Sequence, residues 1–206
     1  MSNSSQHAGG TGSAADVLCP VREFLEGMPQ LSLRDFLDDW PASNVTVHCF
    51  ESNDLPVVSW MPAAVDNALP ETARLMECLA SAAGDLCWCQ TYAADDFGED
   101  FLNRYGWCEF VGMRGLVKSQ RLACGVLMLA PHTTYPAHRH VDEEIYIPIS
   151  GAARWWRRGD SWKAVEPGTP IHHPSGISHA VKTDTAPLAA LYLWREGDLT
   201  QKSLIC

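Results

Sequence analysis

The sequence predicts a mainly β protein, an antiparallel barrel or double-sheet jelly roll that follows a helical N-terminal extension. From about Arg121 the chain consists of short apolar or alternating runs separated by Gly and Pro. Strands of this length and spacing are typical of antiparallel barrels and jelly rolls. No crossover helices lie between the runs, so a parallel α/β sheet is not expected. A chain of 206 residues has room for one domain with an extension, but two full-sized domains would be crowded.

The predicted strands are seven runs of the second half: RLACGVLMLA, EEIYIPIS, ARWWRR, SWKAV, IHH, SHAVKT and PLAALYLW. The chain therefore divides into three parts. Residues 1–16, which are mostly small and polar, are expected to be a disordered tail. Residues 17–110 are expected to form the helical extension, and residues 111–206 the barrel.

The helical extension is predicted from periodicity and from start and stop signals. An amphipathic segment around Val21–Met28 is the first helix. Ser32 is the expected N-cap of a second helix, LRDFLDDW, which Pro41 ends. Pro70 opens a third helix, and DDFGEDFLNRYGW predicts a further short one.

Charge and hydropathy exclude several classes of partner. Residues 1–110 carry 17 acidic and four basic side chains, residues 111–206 carry eight and 11, and the net charge is −10. Without a basic run, neither nucleic acid nor anionic lipid is expected as a partner. No window approaches the ~18 apolar residues of a membrane span. The start of the chain also lacks the features of a signal peptide. We therefore expect a cytoplasmic protein.

The eight cysteines are scattered, without the framework of a disulfide-rich fold. Cys87-Trp88-Cys89 forms a C-x-C sequence, which is too short for the usual C-x-x-C metal knuckle and has no matching second pair. We expect reduced thiols with structural roles.

A metal site is predicted from the histidines, of which six lie between residues 132 and 179. His138 and His140 are two residues apart and share one face of an extended strand. Glu144 follows at another even offset and can join that face. A turn rich in Pro and Gly delivers His179 from a neighbouring strand. Three imidazoles and one carboxylate suit Zn, Fe, Mn, Ni or Co and leave coordination positions for water or substrate.

Two motifs in this region resemble those of the cupin family. The first, HxH-x3-E-x6-G, is formed by His138, His140, Glu144 and Gly151. The second, G-x5-P-x-G-x2-H, is formed by Gly168, Pro174, Gly176 and His179. His132 stands where the first motif usually starts with Gly, and Thr183 stands where the second usually ends with Asn. The resemblance implies a cupin β-barrel with one metal ion held by the three histidines and the glutamate.

A narrower resemblance is to the cupin lyases that cleave dimethylsulfoniopropionate (DMSP) into dimethyl sulfide and acrylate. It rests on TYPAHRHVDEEIYIPISG, the turn to His179 and LYLW, and extends more loosely to WCQTYAADDF. It implies that Tyr146 lies at or near the metal coordination sphere and that Tyr135 is a candidate base. It also implies that Trp194 lines the pocket near the substrate sulfonium.

The residue types fit this chemistry. Metal coordination of the substrate carboxylate acidifies the neighbouring proton, a Lewis-acid role. Aromatic faces attract a sulfonium by cation–π forces of about 0.5–2 kcal/mol each. Tyr192 and Trp155 are further candidates for such a face. Alternation sends Trp155 and Trp156 to opposite sides of their strand, so at most one of the two faces the pocket. His172 and His173 are expected to be structural or to support the metal ligands.

Three other functions remain open at this level. A dioxygenase of a small thiol or carboxylate would use the same barrel with redox-active iron and oxygen. A sugar-isomerase cupin would need phosphate-binding Lys or Arg, and few are predicted. A non-enzymatic cupin could bind a small ligand as a sensor, but no DNA-binding segment accompanies the barrel. The expected partner is a small-molecule substrate, and a homodimer is the assembly to consider.

Overall fold

The computed structural model describes residues 13–29, 33–42, 46–48 and 50–206. The α-helices of these ranges are α1 (Leu18–Glu26), α2 (Arg34–Asp38), α3 (Met61–Asp66), α4 (Pro70–Ala82) and α5 (Ala94–Leu102). Short 3-10 segments cover Ala14–Val17, Pro56–Trp60 and Ala83–Asp85. Among the described residues, no helix has the length and apolar character that crossing a membrane requires.

The strands of the described residues form two antiparallel sheets of five strands each. The strands are β1 (Tyr105–Val111), β2 (Leu122–Leu129), β3 (Thr134–Arg139), β4 (Glu143–Ser150), β5 (Ala153–Arg157), β6 (Lys163–Val165), β7 (Ile171–His173), β8 (His179–Thr183), β9 (Leu188–Arg195) and β10 (Leu204–Ile205). The first sheet has the order β1-β2-β9-β4-β7, and the second has the order β10-β3-β8-β5-β6. The predicted mainly β fold with N-terminal helices is confirmed.

The start of the chain differs from the expected tail. Ser13 caps the 3-10 segment at Ala14–Val17: its backbone N–H donates to Asp16 Oδ2 over 2.8 Å, and its hydroxyl accepts from the backbone of Ala15. Residues 13–16 are therefore part of the folded extension. Residues 1–12, and the expected N-cap Ser32, lie outside the described residues.

The barrel begins earlier than the predicted boundary at residue 111. The segment Tyr105–Val111, assigned to the helical extension, is β1 and pairs with β2 from Tyr105↔Leu129 onwards. The helical pattern of DDFGEDFLNRYGW is correct only as far as Leu102, where α5 ends. Pairing with β2, the next strand along the chain, decides the conformation of the aromatic residues that follow.

The first sheet is buried on both faces. Side chains along each strand alternate between these two faces, and this alternation positions the site. Leu191 and Leu193 of β9 point outward into a core shared with α1 and α4. Tyr192 and Trp194, at the alternate positions, point into the barrel, where aromatic side chains form a second core. Residues of one strand therefore serve two cores, and those on the inner face are available to the site.

The two departures from the cupin motifs are accommodated locally. His132 adopts a left-handed conformation with φ 55°, the backbone geometry that a glycine would take there. Thr183 Oγ1 donates to the Ala130 carbonyl over 2.7 Å and accepts from the Thr133 backbone over 2.9 Å. Its hydroxyl thus ties the end of β8 to the loop before β3.

Candidate active site

The strand register brings two of the predicted ligands together. His138 of β3 lies opposite His179, the first residue of β8, and their ring centroids are 4.3 Å apart. His140 follows the end of β3, with its ring 5.3 Å from that of His179. All three side chains are buried. His179 thus comes from the neighbouring strand, as predicted.

Glu144 reaches the same point from the other sheet. Its even offset predicted that Glu144 lies on the continuation of the strand that carries His138 and His140, and this prediction is wrong. The chain bends at residues 141–142 and enters β4, which belongs to the first sheet, whereas β3 belongs to the second. Closure of the barrel, rather than strand alternation, brings the carboxylate to the histidines.

Three of the four predicted ligands converge closely. One potential ligand atom from each of His140, Glu144 and His179 lies within 4.8 Å of the other two. Glu144 Oε2 is 3.2 Å from His140 Nε2 and 3.0 Å from His179 Nε2. The fourth predicted ligand, His138, adjoins this group without being part of it.

Backbone carbonyls fix the tautomer of the three imidazoles. Each Nδ1 lies against a carbonyl oxygen, which can only accept, so Nδ1 carries a proton and in the neutral ring Nε2 presents a lone pair. The distance from Nδ1 to the carbonyl oxygen is 2.8 Å for His138 and Pro136, 2.9 Å for His140 and Asp142, and 3.1 Å for His179 and Ile177. His179 Nε2 is buried, and although Glu144 Oε2 lies 3.0 Å away, this nitrogen makes no hydrogen bond of acceptable geometry within the described structure. This tautomer and orphaned nitrogen fit a divalent transition metal.

The electrostatics also favour a cation. Burial opposes the charge of Glu144, but His140 and His179 outweigh it and hold the pKa of this carboxyl well below its usual range. Burial lowers the pKa of His138 well below its ordinary value. For His140, burial is outweighed by the charge of Glu144, and the pKa is raised. The centre of the group is therefore a buried negative charge for which protons and metal ions compete.

Tyr135, the candidate base, lies beside the ligands and not among them. Its ring stacks on that of His138, with centroids 4.2 Å apart and planes 14° apart. Its hydroxyl donates to the hydroxyl of Tyr92 over 3.2 Å. Burial, followed by the neighbouring tyrosines, raises the pKa of Tyr135 well above its ordinary value.

Tyr146 faces the barrel interior from β4, two residues after Glu144, as its even offset predicted. Its ring centroid is 6.3 Å from that of His179. Burial, and then the negative charge of Glu144, raise the pKa of Tyr146 well above its ordinary value. The hydroxyl of Tyr146 therefore keeps its proton in the absence of a cation.

The remaining aromatic candidates all contact the inner core. Trp155 is buried and packs into the barrel, whereas Trp156 points to the other side and is half-buried, as the alternation predicted. Tyr192 lies 5.9 Å from Trp194 between ring centroids. Its hydroxyl lies over Gly125, where a Cβ atom would be 2.6 Å from the hydroxyl oxygen. Gly125 thus provides the space that Tyr192 occupies.

Trp194 and His173 contact the ligands more directly than the sequence indicated. The indole N–H of Trp194 donates to Glu144 Oε1, and His173 Nδ1 lies 3.2 Å from Glu144 Oε2. Trp194 was expected only as an aromatic face, and His173 only as a structural or supporting residue. Neither hydrogen bond has a local signal, because each joins residues far apart in sequence.

Two further residues beside the site were not among the predicted ones. Tyr92, in the loop before α5, is the hydrogen-bond partner of Tyr135. Asp142 is buried, and its carboxylate lies 3.8 Å from His140 Nδ1. Only the resemblance of WCQTYAADDF marked the segment of Tyr92. Asp142 could have been noted as an acidic residue inside the first motif.

The two sheets and the histidine–glutamate group define a cupin with a candidate metal centre. Comparison with known families then gives a more specific assignment. The dimethylsulfoniopropionate lyase family model matches residues 42–190. The chain belongs to this family of carbon–sulfur lyases.

Individual relatives agree with this assignment. Dimethylsulfoniopropionate lyase DddQ of Ruegeria pomeroyi is 32% identical over 145 residues, which are 70% of this chain and 72% of that protein. Its crystal structure superposes with a TM-score of 0.81 at 27% identity, covering 93% of this chain and 95% of the other. A chain from the crystal structures of the DMSP lyases RdDddP and RnDddQII superposes with a TM-score of 0.85 at 29% identity, covering 94% of this chain and 97% of the other.

Proposed function

We propose that this protein cleaves dimethylsulfoniopropionate to dimethyl sulfide and acrylate by metal-dependent β-elimination. The observation that carries the proposal is the group of His140, Glu144 and His179, with ligand atoms within 4.8 Å in the barrel of a DMSP lyase family member. His138, whose Nε2 also presents a lone pair, completes the proposed ligand set. Three neutral imidazoles and one carboxylate leave a charge of +1 around a divalent ion. The substrate carboxylate can bind to such a centre.

The elimination needs a proton removed from the carbon next to the carboxylate while dimethyl sulfide leaves from the adjacent carbon. A divalent ion bound here would supply Lewis-acid stabilisation of the charge that develops on the carboxylate side. The protein supplies the base, the orientation of the substrate and a site from which bulk water is largely excluded. These roles belong to the tyrosines and to other aromatic side chains of the barrel interior.

Tyr135 is the proposed base. A free tyrosine has a pKa of about 10, so its phenolate at pH 7 costs roughly 4 kcal/mol, from three units at 1.36 kcal/mol each. Burial raises the pKa of Tyr135 further, so the phenolate must form beside positive charge. The substrate sulfonium and a divalent ion held next to His138 would provide it. Tyr146 is the alternative base, and its place beside Glu144 suits contact with the metal ion.

The aromatic side chains Trp194, Tyr192 and Trp155 are the proposed wall for the sulfonium. Trp194→Ala is expected to raise KM for DMSP by roughly 2- to 30-fold, which corresponds to the loss of about 0.5–2 kcal/mol of cation–π attraction. Steady-state kinetics at saturating metal measure this change, with the exposed Trp162 as the matched control in Trp162→Ala. An unchanged rate and KM would remove Trp194 from the substrate site.

The decisive experiment incubates the purified protein with DMSP and one divalent metal at a time. We expect acrylate and dimethyl sulfide in equal amounts, measured by chromatography and headspace analysis. The yield should be the same with and without oxygen. Removal of metal by a chelator should abolish activity, and restoring the metal should recover it. A strict requirement for oxygen would instead indicate a dioxygenase. Absence of both products with every metal would contradict the proposed function.

A further inference from the structure

The Glu144 carboxylate is held by two side chains outside the proposed ligand set. The indole N–H of Trp194 donates to Oε1, and His173 Nδ1 lies 3.2 Å from Oε2. Glu144 is fully buried, and buried carboxylate oxygens without donors are costly. With Oε1 occupied by Trp194, Oε2 is the oxygen that faces His140 and His179.

His173 differs from the three proposed ligand histidines in how its ring is used. The others direct Nδ1 to a backbone carbonyl and leave Nε2 as a lone pair towards the centre of the site. His173 instead directs Nδ1 to a carboxylate, which can only accept, so Nδ1 carries the proton and acts as a donor. This geometry makes His173 a hydrogen-bond donor to a ligand and not a ligand itself.

Each of the two donors also packs on one of the ligand histidines. The ring of Trp194 lies 4.4 Å from that of His140, with planes 30° apart. The ring of His173 stacks on that of His179, with centroids 4.0 Å and planes 17° apart. One side chain therefore links Glu144 to His140, and the other links Glu144 to His179.

We infer that Trp194 and His173 are positioning residues that together hold Glu144, His140 and His179 in their metal-binding arrangement. The inference rests on the proposed function, because it assumes that these three residues bind the ion. It gives Trp194 a task that depends on its N–H group, separate from the aromatic face that a sulfonium would contact. Hydrogen-bond partners of metal ligands typically contribute 10- to 100-fold in affinity, about the scale expected here.

The test uses variants that keep a ring and remove the donor, namely Trp194→Phe and His173→Phe. The metal-free full-length protein is titrated with cobalt(II), and visible absorption reports binding without any substrate. Each variant is expected to raise the Kd for cobalt by about 10- to 100-fold. His173→Asn, whose amide can still donate from a similar position, should recover most of the affinity. His172→Phe and Trp162→Phe are the matched controls, because neither residue contacts Glu144 in the structure.

A second measurement separates positioning from general destabilisation. At saturating cobalt the His173→Phe variant should keep a KM for DMSP within a few-fold of wild type, because His173 is not part of the proposed wall for the sulfonium. Thermal unfolding of each metal-free variant checks that it folds, and His173→Leu replaces His173→Phe if the larger ring does not fit. Wild-type cobalt affinity in both folded donor-deleted variants would overturn the inference. Failure of the wild-type protein to bind cobalt or cleave DMSP would instead contradict the proposed function.

Discussion

Replacing His140 or His179 with alanine is expected to abolish both metal binding and DMSP cleavage. Each change removes one of the three ligand atoms that lie within 4.8 Å of one another. It also leaves the buried charge of Glu144 with one partner fewer, and an unpaired buried charge is destabilising. Metal content per chain, measured by elemental analysis after purification, and the rate of dimethyl sulfide release are the two readouts.

The matched control is Arg139→Ala, since Arg139 lies between His138 and His140 with its side chain exposed. We expect it to keep both metal and activity. His138→Ala should weaken metal binding less than the other two, because three close ligands remain. Full metal occupancy in His140→Ala or His179→Ala would show that the ligand assignment is wrong.

Phenylalanine at position 135 is expected to lower kcat by about 100-fold or more, the scale of a lost general base. The change keeps the ring that stacks on His138 and deletes only the hydroxyl that would accept the proton. Metal content should therefore stay at the wild-type level. Single-turnover rates of acrylate formation, with metal content measured on the same samples, test both statements.

Tyr146→Phe provides the contrast, because Tyr146 lies beside Glu144 on β4. We expect this variant to disturb metal affinity and rate together. If Tyr135→Phe retains more than about a tenth of the wild-type kcat, the loss is too small for a general base. Tyr146 would then become the leading candidate.

Short-range pattern was sufficient for much of the fold. The seven short apolar runs of the second half form β2 and β4 to β9 as predicted, because alternation and Gly/Pro turns act over a few residues, whereas β3 and β10 were not among those runs. The same short-range spacing places His138 and His140 near each other, whereas His179 joins them through the pairing of β3 with β8, which are far apart in sequence. The N-terminal helices α1 and α4 likewise follow from periodicity.

Long-range pairing accounts for what the sequence analysis missed. β1 was assigned to the helical extension because only its partner β2 distinguishes it from the end of a helix. Glu144 was assigned to the wrong sheet, since an even offset along the chain says nothing about a bend at residues 141–142. Tyr92 reaches Tyr135 across 43 residues.

The sequence by itself determined which residue types are available and at what spacing: the two histidine motifs, the tyrosines at 135 and 146, and the mainly β architecture. Only the tertiary structure decided how they are used. It placed Glu144 opposite the histidines and directed three Nε2 lone pairs inward by means of backbone carbonyls. It also brought Trp194 and His173 onto the carboxylate. Spacing fixes the side of a strand on which a residue lies, whereas hydrogen-bond partners from other strands depend on how the two sheets close around the site.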